Sequence, residues 1–450
     1  MFELERRIRV WADYLRRRGN FLTTDIQELE GHLREEIDSL GRAGLSQEEA
    51  FLVAVKRMGN ADALSREFSK VNTESLWKQL VLLPEDPQVR ARARTELLLV
   101  VLCALAAGTL AKIPELFGLR PFAGQQLFYL KNLSLFVFPF VVLYFLWKRR
   151  AWSRPFLWLL LPFAGSALAV NLYPSFAPHH NVVLAGIHLP ILLWFVVGVA
   201  YVGGRWRDPD RRMDFVRFSG ESFIYGVLLL CGGFVLAGLT NMIFSAINVD
   251  VTSFLQEYLV IYGGLGAVVV ATYLAEAKKS VVENMAPVLA RIFTPLLLVV
   301  LLSFVAVMAV LGKSPYTERE FLIGFDLMLA LVVGLVLYVI SARDPEEKPG
   351  LFDAINLVLI VVALAVDGIA LSAILFRISS YGFTANKMAA LGENIVLLAN
   401  LGGLTVLYAL FFAGKRRFTS LEHWQTAYLP TYAVWAAVVV FLFPVVFRYQ

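Results

Sequence analysis

The sequence predicts an all-α protein: a small cytosolic helical domain followed by a polytopic transmembrane bundle of about 11 spans. Three observations carry that prediction. Of 450 residues, 58% are hydrophobic and only 17% charged, against about 45–50% and about 25% in soluble domains. Mean hydropathy is +0.65. Beyond residue 96, apolar segments follow one another at the length of about 20 residues that a bilayer crossing requires. The first 71 residues instead show short amphipathic periods separated by turn signals.

Within residues 1–71 four helices are expected. Leu4, Ile8, Trp11 and Leu15 share one face of the first; Ile26, Leu29, Leu33, Ile37 and Leu40 share one face of the second. Thr24 with Gln27, and Ser46 with Glu49, have capping-box spacing. Gly41–Gly44 and Gly59-Asn60 are stop signals, and a fourth helix over 61–71 offers Leu64, Phe68 and Val71. The amino terminus (Glu3, Glu5, Arg6, Arg7) has no apolar core of a signal peptide, so this domain is expected to stay where it is made.

Up to Thr95 the chain carries 16 Lys/Arg and 16 Asp/Glu, a balance that argues against direct nucleic-acid binding. The charges segregate. The first helix is basic (Arg6, Arg7, Arg9, Arg16, Arg17, Arg18) and the second acidic (Asp25, Glu28, Glu30, Glu35, Glu36, Asp38). Two readings stay open: complementary rims of two packed helices, or a docking face for a cytosolic partner.

The run Glu30-Gly-His-Leu-Arg-Glu-Glu-Ile, then Gly44-Leu-Ser-Gln-Glu-Glu-Ala, then Met58-Gly-Asn-Ala-Asp-Ala-Leu-Ser-Arg-Glu-Phe resembles the permease prefix domain and the related HAAS-type signalling domains. The resemblance covers about residues 2–71. It implies a bacterial cytosolic docking or regulatory module, often found beside PadR-type transcription regulators, and it implies no chemistry.

Residues 72–95 read as a linker or an interfacial helix: Leu76, Trp77, Leu80, Val81 and Leu83 precede Pro84 and Pro87, and Arg90, Arg92 and Arg94 suit anionic headgroups. The membrane domain, 96–450, then offers eleven segments, near 97–117, 127–147, 155–172, 182–202, 222–247, 258–277, 287–311, 321–341, 351–375, 389–413 and 424–447. The third is short and interrupted by Pro162. Loops on the side of the N-terminal domain hold 17 Lys/Arg and the opposite side eight. The positive-inside rule therefore predicts a bacterial cytoplasmic (inner) membrane protein with its N-terminus cytoplasmic and its C-terminus outside. Cys103 and Cys231 lie in apolar runs, so no disulfide framework or Cys-rich metal site is indicated. Gly232-Gly233, Gly263-Gly264-x-Gly266 and Gly402-Gly403 suggest close helix packing.

The densest polar material lies in 351–413. A polar hairpin, Phe376–Met388, is expected between two apolar segments, with Gly382 at positive φ and Thr384 capping the next helix. Its Arg377-Ile-Ser-Ser-Tyr-Gly-Phe-Thr-Ala-Asn-Lys387 is similar to the R-x-x-x-Y-G-x-T-x-x-R pattern of the bacterial membrane proteins grouped as DUF4153 and DUF4173. That resemblance covers roughly residues 220–415. Its motif residues here are Arg377, Tyr381, Gly382, Thr384 and Lys387, the last replacing an arginine and losing its bidentate geometry. It implies a fold and no activity. The hairpin is either purely structural or a ligand-touching loop.

Ionisable groups inside a membrane are costly and face a partner or a wet cavity. Asp326, Asp367, Glu393, Asn394, Asn241 and His188 all fall toward the outer side, Asp367 in the outer third of its span. They form one candidate polar cavity together with Arg377, which is placed to pair with Asp367. Internal pairing, a solute or proton site, and solvation at the headgroups are the alternatives. Asn400 adds a further amide. His179, His180 and His188 lack the spaced carboxylate that a metal set needs, so no metal or cofactor is expected. No Gly-x-Ser-x-Gly or His-Glu-x-x-His occurs, and Val307 replaces the first glycine a P-loop would need before Gly312-Lys313-Ser314. The leading functional expectation is a membrane sensor or regulator coupled to a cytosolic partner. The rivals are a permease for an unknown small solute and a membrane enzyme acting on a lipid-linked substrate.

Overall fold

The structure, a computed structural model, describes residues 4–5, 7–8, 11–12, 23–42, 44–58, 87–122, 124–151, 158–277, 279–310, 316 and 319–449. Among these residues there are thirteen helices and no strand. The chain divides into two compact units, Met1–Thr95 and Glu96–Gln450.

In the first unit, α1 (Thr23–Arg42) and α2 (Gln47–Met58) form a helical hairpin. Leu45 N–H reaches Leu40 O (3.3 Å) and Gly44 N–H reaches Gly41 O (3.1 Å), with Gly44 at φ +99. This 6→1, 5→2 pair is a Schellman stop, so the Gly41–Gly44 signal acts as expected. Ser46 caps α2: Glu49 N–H donates to Ser46 Oγ (3.4 Å) and Ser46 N–H donates to Glu49 Oε2 (3.0 Å). Ile8, Leu33, Ile37, Leu40, Ala50 and Ala54 make the core, with Leu4 and Trp11 against it. Arg34 of α1 reaches back to Glu5 (3.2 Å) and along its own helix to Glu30 (3.4 Å). This pairing joins an arginine of the acidic helix to a glutamate of the basic stretch. The side chains of Thr24 and Gln27, the expected helix over 61–71, the Gly59-Asn60 stop, the apolar run 76–83 and Gly312-Lys313-Ser314 lie outside the described residues.

The second unit holds, from Glu96 onward, α3 (Pro87–Lys112), and then α4 (Gln126–Lys148), α5 (Leu161–Leu172), α6 (His180–Tyr201), α7 (Pro209–Ala246), α8 (Thr252–Ala277), α9 (Lys279–Val310), α10 (Arg319–Ala342), α11 (Leu351–Tyr381), α12 (Ala385–Phe412) and α13 (Thr419–Val446). Ten of these are long and apolar enough to cross a membrane; α5, with the turn before it, makes a shorter apolar helix, Trp158–Leu172. This is a multi-pass membrane protein.

The short helix still returns the chain across the bundle. Helices α4 and α6 run parallel: Phe138 meets Trp194 (5.3 Å between ring centroids), Phe145 meets Tyr201 (5.4 Å), and Arg149 Nε donates to Tyr201 O (3.0 Å). Two parallel helices need a crossing between them. Asn132 and Asn171 exchange amide hydrogen bonds (3.0 and 2.7 Å) and Lys131 Nζ donates to Val170 O (2.7 Å). The end of α5 therefore sits beside the start of α4. Pro162 opens this helix at its first turn, where no N–H is needed, instead of interrupting it.

Several bounds differ from the sequence expectation because polar ends extend apolar segments. Asp208 accepts from Asp210 N–H (3.0 Å) with Pro209 in the first turn, so α7 starts about three turns earlier than 222 and carries Arg211, Arg212 and Arg217 on the helix itself. Arg90, Arg92 and Arg94 lie in α3, whose first residue is Pro87.

Two cores meet along α7. Phe215 and Phe218 join the cluster of α3, α4, α6 and α8, while Met213 and Val216 join that of α9 to α13. Beyond residue 222, α7 has no buried residue. The Gly232-Gly233 pair accordingly has nothing near it, whereas Gly403 receives the Trp424 indole and Gly266 faces Ala104. Equally close approaches at Gly108 (Tyr262), Gly220 (Tyr338) and Gly392 (Trp435) went unmarked by any glycine pair.

At the basic end, Lys148, Arg149 and Arg343 pair with acids of the bundle. Glu96 accepts from Tyr144 (2.7 Å) and from Lys148, and Arg149 pairs with Glu276 (3.1 Å). Arg343 at the end of α10 is bidentate to Asp353 of α11 (2.8 and 3.0 Å), donates to three loop carbonyls and stacks over Phe418 (4.2 Å).

Two outcomes follow from these contacts. Truncating one partner of a buried ion pair costs about 3–5 kcal/mol. Arg343→Ala should therefore lower the thermal midpoint of the detergent-purified chain sharply, whereas Arg211→Ala on the half-exposed Asp214 pair should not. In the first unit, hydrogen bonds from the Ser46 hydroxyl and backbone hold Glu49 below its ordinary value of 4.5. A depressed carboxylate stabilises above its unfolded value and loses that contribution as pH falls through the folded one. Protection factors of the 47–50 amides, which take out the intrinsic slowing of exchange in acid, should fall as pH drops through the Glu49 titration, and Ser46→Ala, worth about 1 kcal/mol, should lower them at every pH.

Candidate functional site

Helices α10, α11 and α12 carry the candidate site, and their ends fix its register. Gly350 N–H donates to Asp353 Oδ2 (2.9 Å) at the start of α11. The helix then runs 31 residues to Tyr381, six further than the apolar pattern indicates, because Arg377 and its polar neighbours extend it. The turn to α12 is only Gly382–Thr384. Gly382 takes φ +75 with ψ 177, open to glycine and not to L side chains. Thr384 caps α12 by accepting from Lys387 N–H (3.4 Å), as expected.

The motif residues close this hairpin on itself. Lys387 Nζ donates to Gly382 O (2.8 Å), Tyr381 O (3.2 Å) and Arg377 O (3.3 Å), the exposed carbonyls at the end of α11. Arg377 and Lys387 lie 5.9 and 5.7 Å from the Tyr381 ring centroid. These contacts form a structural clasp.

The longer helix moves Asp367. It is the seventeenth of 31 residues in α11, about 24 Å from one end and about 21 Å from the other at 1.5 Å per residue. Asp367 thus sits at mid-helix and not in an outer third. The expected pairing with Arg377 does not form, since ten residues of unbroken helix separate the two by about 15 Å. Asp367 is fully buried, and neither of its carboxylate oxygens has a hydrogen-bond partner.

Two antiparallel pairings bring other groups to its level. Arg343 meets Asp353 and Tyr316 OH meets Ser372 Oγ (2.7 Å), which puts Asp326 of α10 level with Asp367. Asn356 donates to Tyr408 OH (2.7 Å) and Lys387 reaches Arg377, which puts Glu393 and Asn394 of α12 within about one turn. Asn394 Nδ2 donates both to Asp326 Oδ1 (2.8 Å) and to Ala390 O (2.8 Å), while its fully buried Oδ1 accepts nothing. Asp367 lies within electrostatic reach of both Asp326 and Glu393. None of the three acids forms an ion pair among the described residues.

Two other predicted members bond outside this set. Asn241 accepts from Thr252 Oγ1 (3.3 Å) at the turn from α7 to α8. His188, though buried, bonds through Nδ1 to Leu184 O of its own helix (2.9 Å), and His179 bonds Ser175 (2.7 Å). Among the described residues no three of His, Cys, Asp and Glu are placed to hold a metal ion.

A second polar layer was harder to foresee. Asn400 donates to Gln425 (3.2 Å) and Tyr432, and accepts from Trp424 Nε1 (2.8 Å). Asn400 alone stood out in the sequence; Gln425, Asn356 and Tyr408 sit singly among leucines and aromatics, where periodicity gives no signal. This layer is mostly satisfied, and the Asp367 layer is not. That contrast sets the Asp367 layer apart.

No family model matches the chain, and neither a curated protein nor a solved structure matches it.

A buried polar group without a partner costs about 1–3 kcal/mol, and deleting one partner of a satisfied network costs a similar amount. Asp367→Leu should therefore raise the thermal midpoint in detergent while Asn400→Leu lowers it. Equal destabilisation by both would make Asp367 a structural residue.

Proposed function

We propose that this chain is a carrier for a small solute in the bacterial cytoplasmic membrane, coupled to a cation at the acids of α10, α11 and α12. The first unit then lies in the cytosol as a regulatory module, and the C-terminus lies outside. The observation that carries this reading is Asp367: a fully buried carboxyl at mid-helix with no partner, in a setting where such groups mark ion or solute pathways. The excess of Lys/Arg at one end of the bundle supports the orientation. The distance of about 20 Å from Asp367 to either end of α11 speaks against an enzyme working on a lipid headgroup.

A second reading is a sensor that reports through the first unit to a cytosolic partner such as a PadR-type regulator. The resemblance of residues 2–71 to the permease prefix domain favours it. The two separate on one measurement. The purified full chain in proteoliposomes on a solid-supported membrane should give transient currents after a jump in amino acids, sugars or organic cations, and Asp367→Asn should abolish them. Currents unchanged by Asp367→Asn, or absent for all three classes, would remove the carrier reading and leave the sensor.

A further inference from the structure

The acids of α10 to α12 hold two unmet demands that complement each other. Asp367 presents two oxygens with no donor, and Asn394 Oδ1 is a buried acceptor with no donor. Both side chains are fully buried. An ionised Asp367 would stand unpartnered in hydrocarbon beside Asp326 and Glu393, both of the same sign; insertion scales place such a charge at about +2.5–3.5 kcal/mol before any repulsion. Among the described residues no cation pairs with it. Lys387 is spent on three backbone carbonyls and Arg377 on the Tyr381 ring. Helix α9, which packs on α11, brings only Arg291 between residues 290 and 310. Arg291 lies about 20 Å along that helix from Phe304, the residue that meets Phe325 of α10 beside the acids.

A hydrogen shared between the two would meet both demands, and the register of α11 and α12 puts Asn394 within about one turn of Asp367. We propose that Asp367 holds a proton in the middle of the membrane, and that Asn394 links it to Asp326 as the proton-coupling relay of the carrier. With Asp367 as the neutral acid, its O–H is the donor that Asn394 Oδ1 lacks. Asn394 meanwhile gives one N–H to Asp326 (2.8 Å), whose carboxylate is the ionised member of the pair. In the transfer, the O–H bond on Asp367 breaks as one forms on Asn394 Oδ1, and an Nδ2–H bond of Asn394 breaks as an O–H forms on Asp326; the imidic acid this leaves at Asn394 returns to the amide by a shift of its proton from Oδ1 to Nδ2. The negative charge passes to Asp367, and the pair keeps one proton and one charge throughout. Asp326 lies seven residues, about 10 Å, from the start of α10 at the opposite end, and it releases the proton to water on that side. Glu393 is the third titratable group within electrostatic reach of this pair.

The inference rests on the carrier reading only for what the proton drives; the proton itself is read by infrared spectroscopy of the full chain at neutral pH in nanodiscs of ether-linked lipids, which have no ester carbonyl. A protonated carboxylic acid gives a carbonyl stretch distinct from those of carboxylates and amides. The expected wild-type spectrum shows this band, Asp367→Asn loses it, and Asn394→Leu shifts it by removing the acceptor. Asp367→Glu, which keeps an acid, should move the band and guards against loss by misfolding. Replacing choline chloride by sodium chloride should leave the band in place. A neutral-pH spectrum without the band, a band unchanged in Asp367→Asn, or a band removed by sodium would overturn the proposal. A band without solute currents of any class would keep the proton site and dismiss the carrier; currents without the band would do the reverse.

Discussion

Water cannot enter the hydrocarbon layer to complete a hydrogen bond, so each polar group there must find its partner within the protein. That constraint organises the whole second unit. It explains why helices are the only described elements, why Asn132 and Asn171 face each other, and why Trp424, Gln425 and Tyr432 gather on Asn400. It also makes Asp367 conspicuous, because both of its carboxylate oxygens are left without a partner.

The arrangement of charge along α10–α13 has a consistent logic. At the basic end, Arg343 is surrounded by carboxylate, carbonyls and aromatic rings, and it ties four helices together. At the opposite end, Lys387 closes the tight turn between α11 and α12. Between these two fastened ends lie the acids, held in register but without neutralising partners. Rigid ends and an unsettled middle suit a site whose occupancy changes while its scaffold does not.

The fold was largely legible in the sequence. Apolar length alone marks each crossing, and Gly44, Ser46, Gly382 and Thr384 announce their own turns and caps because the chemistry is local. Depth was less legible. Segment ends were drawn where polar residues begin, but a helix continues through Arg377 to Tyr381, so Asp367 shifted from an outer third to the centre. Partners were least legible of all. That Asp326 meets Asn394 and that Asn241 meets Thr252 depends on the register between helices, which a single chain's periodicity does not encode.

The depth of Asp367 decides whether its burial is burial in the membrane, and the neighbouring Gly368 gauges it directly, since its exposed position leaves open space for a side chain. A nitroxide on Gly368→Cys, with Cys103 and Cys231 replaced, can be measured by electron paramagnetic resonance in liposomes. The account predicts high collision with dissolved oxygen and almost none with a water-soluble nickel chelate, the signature of the bilayer centre. Ready collision with the nickel chelate would place Asp367 near water and contradict it.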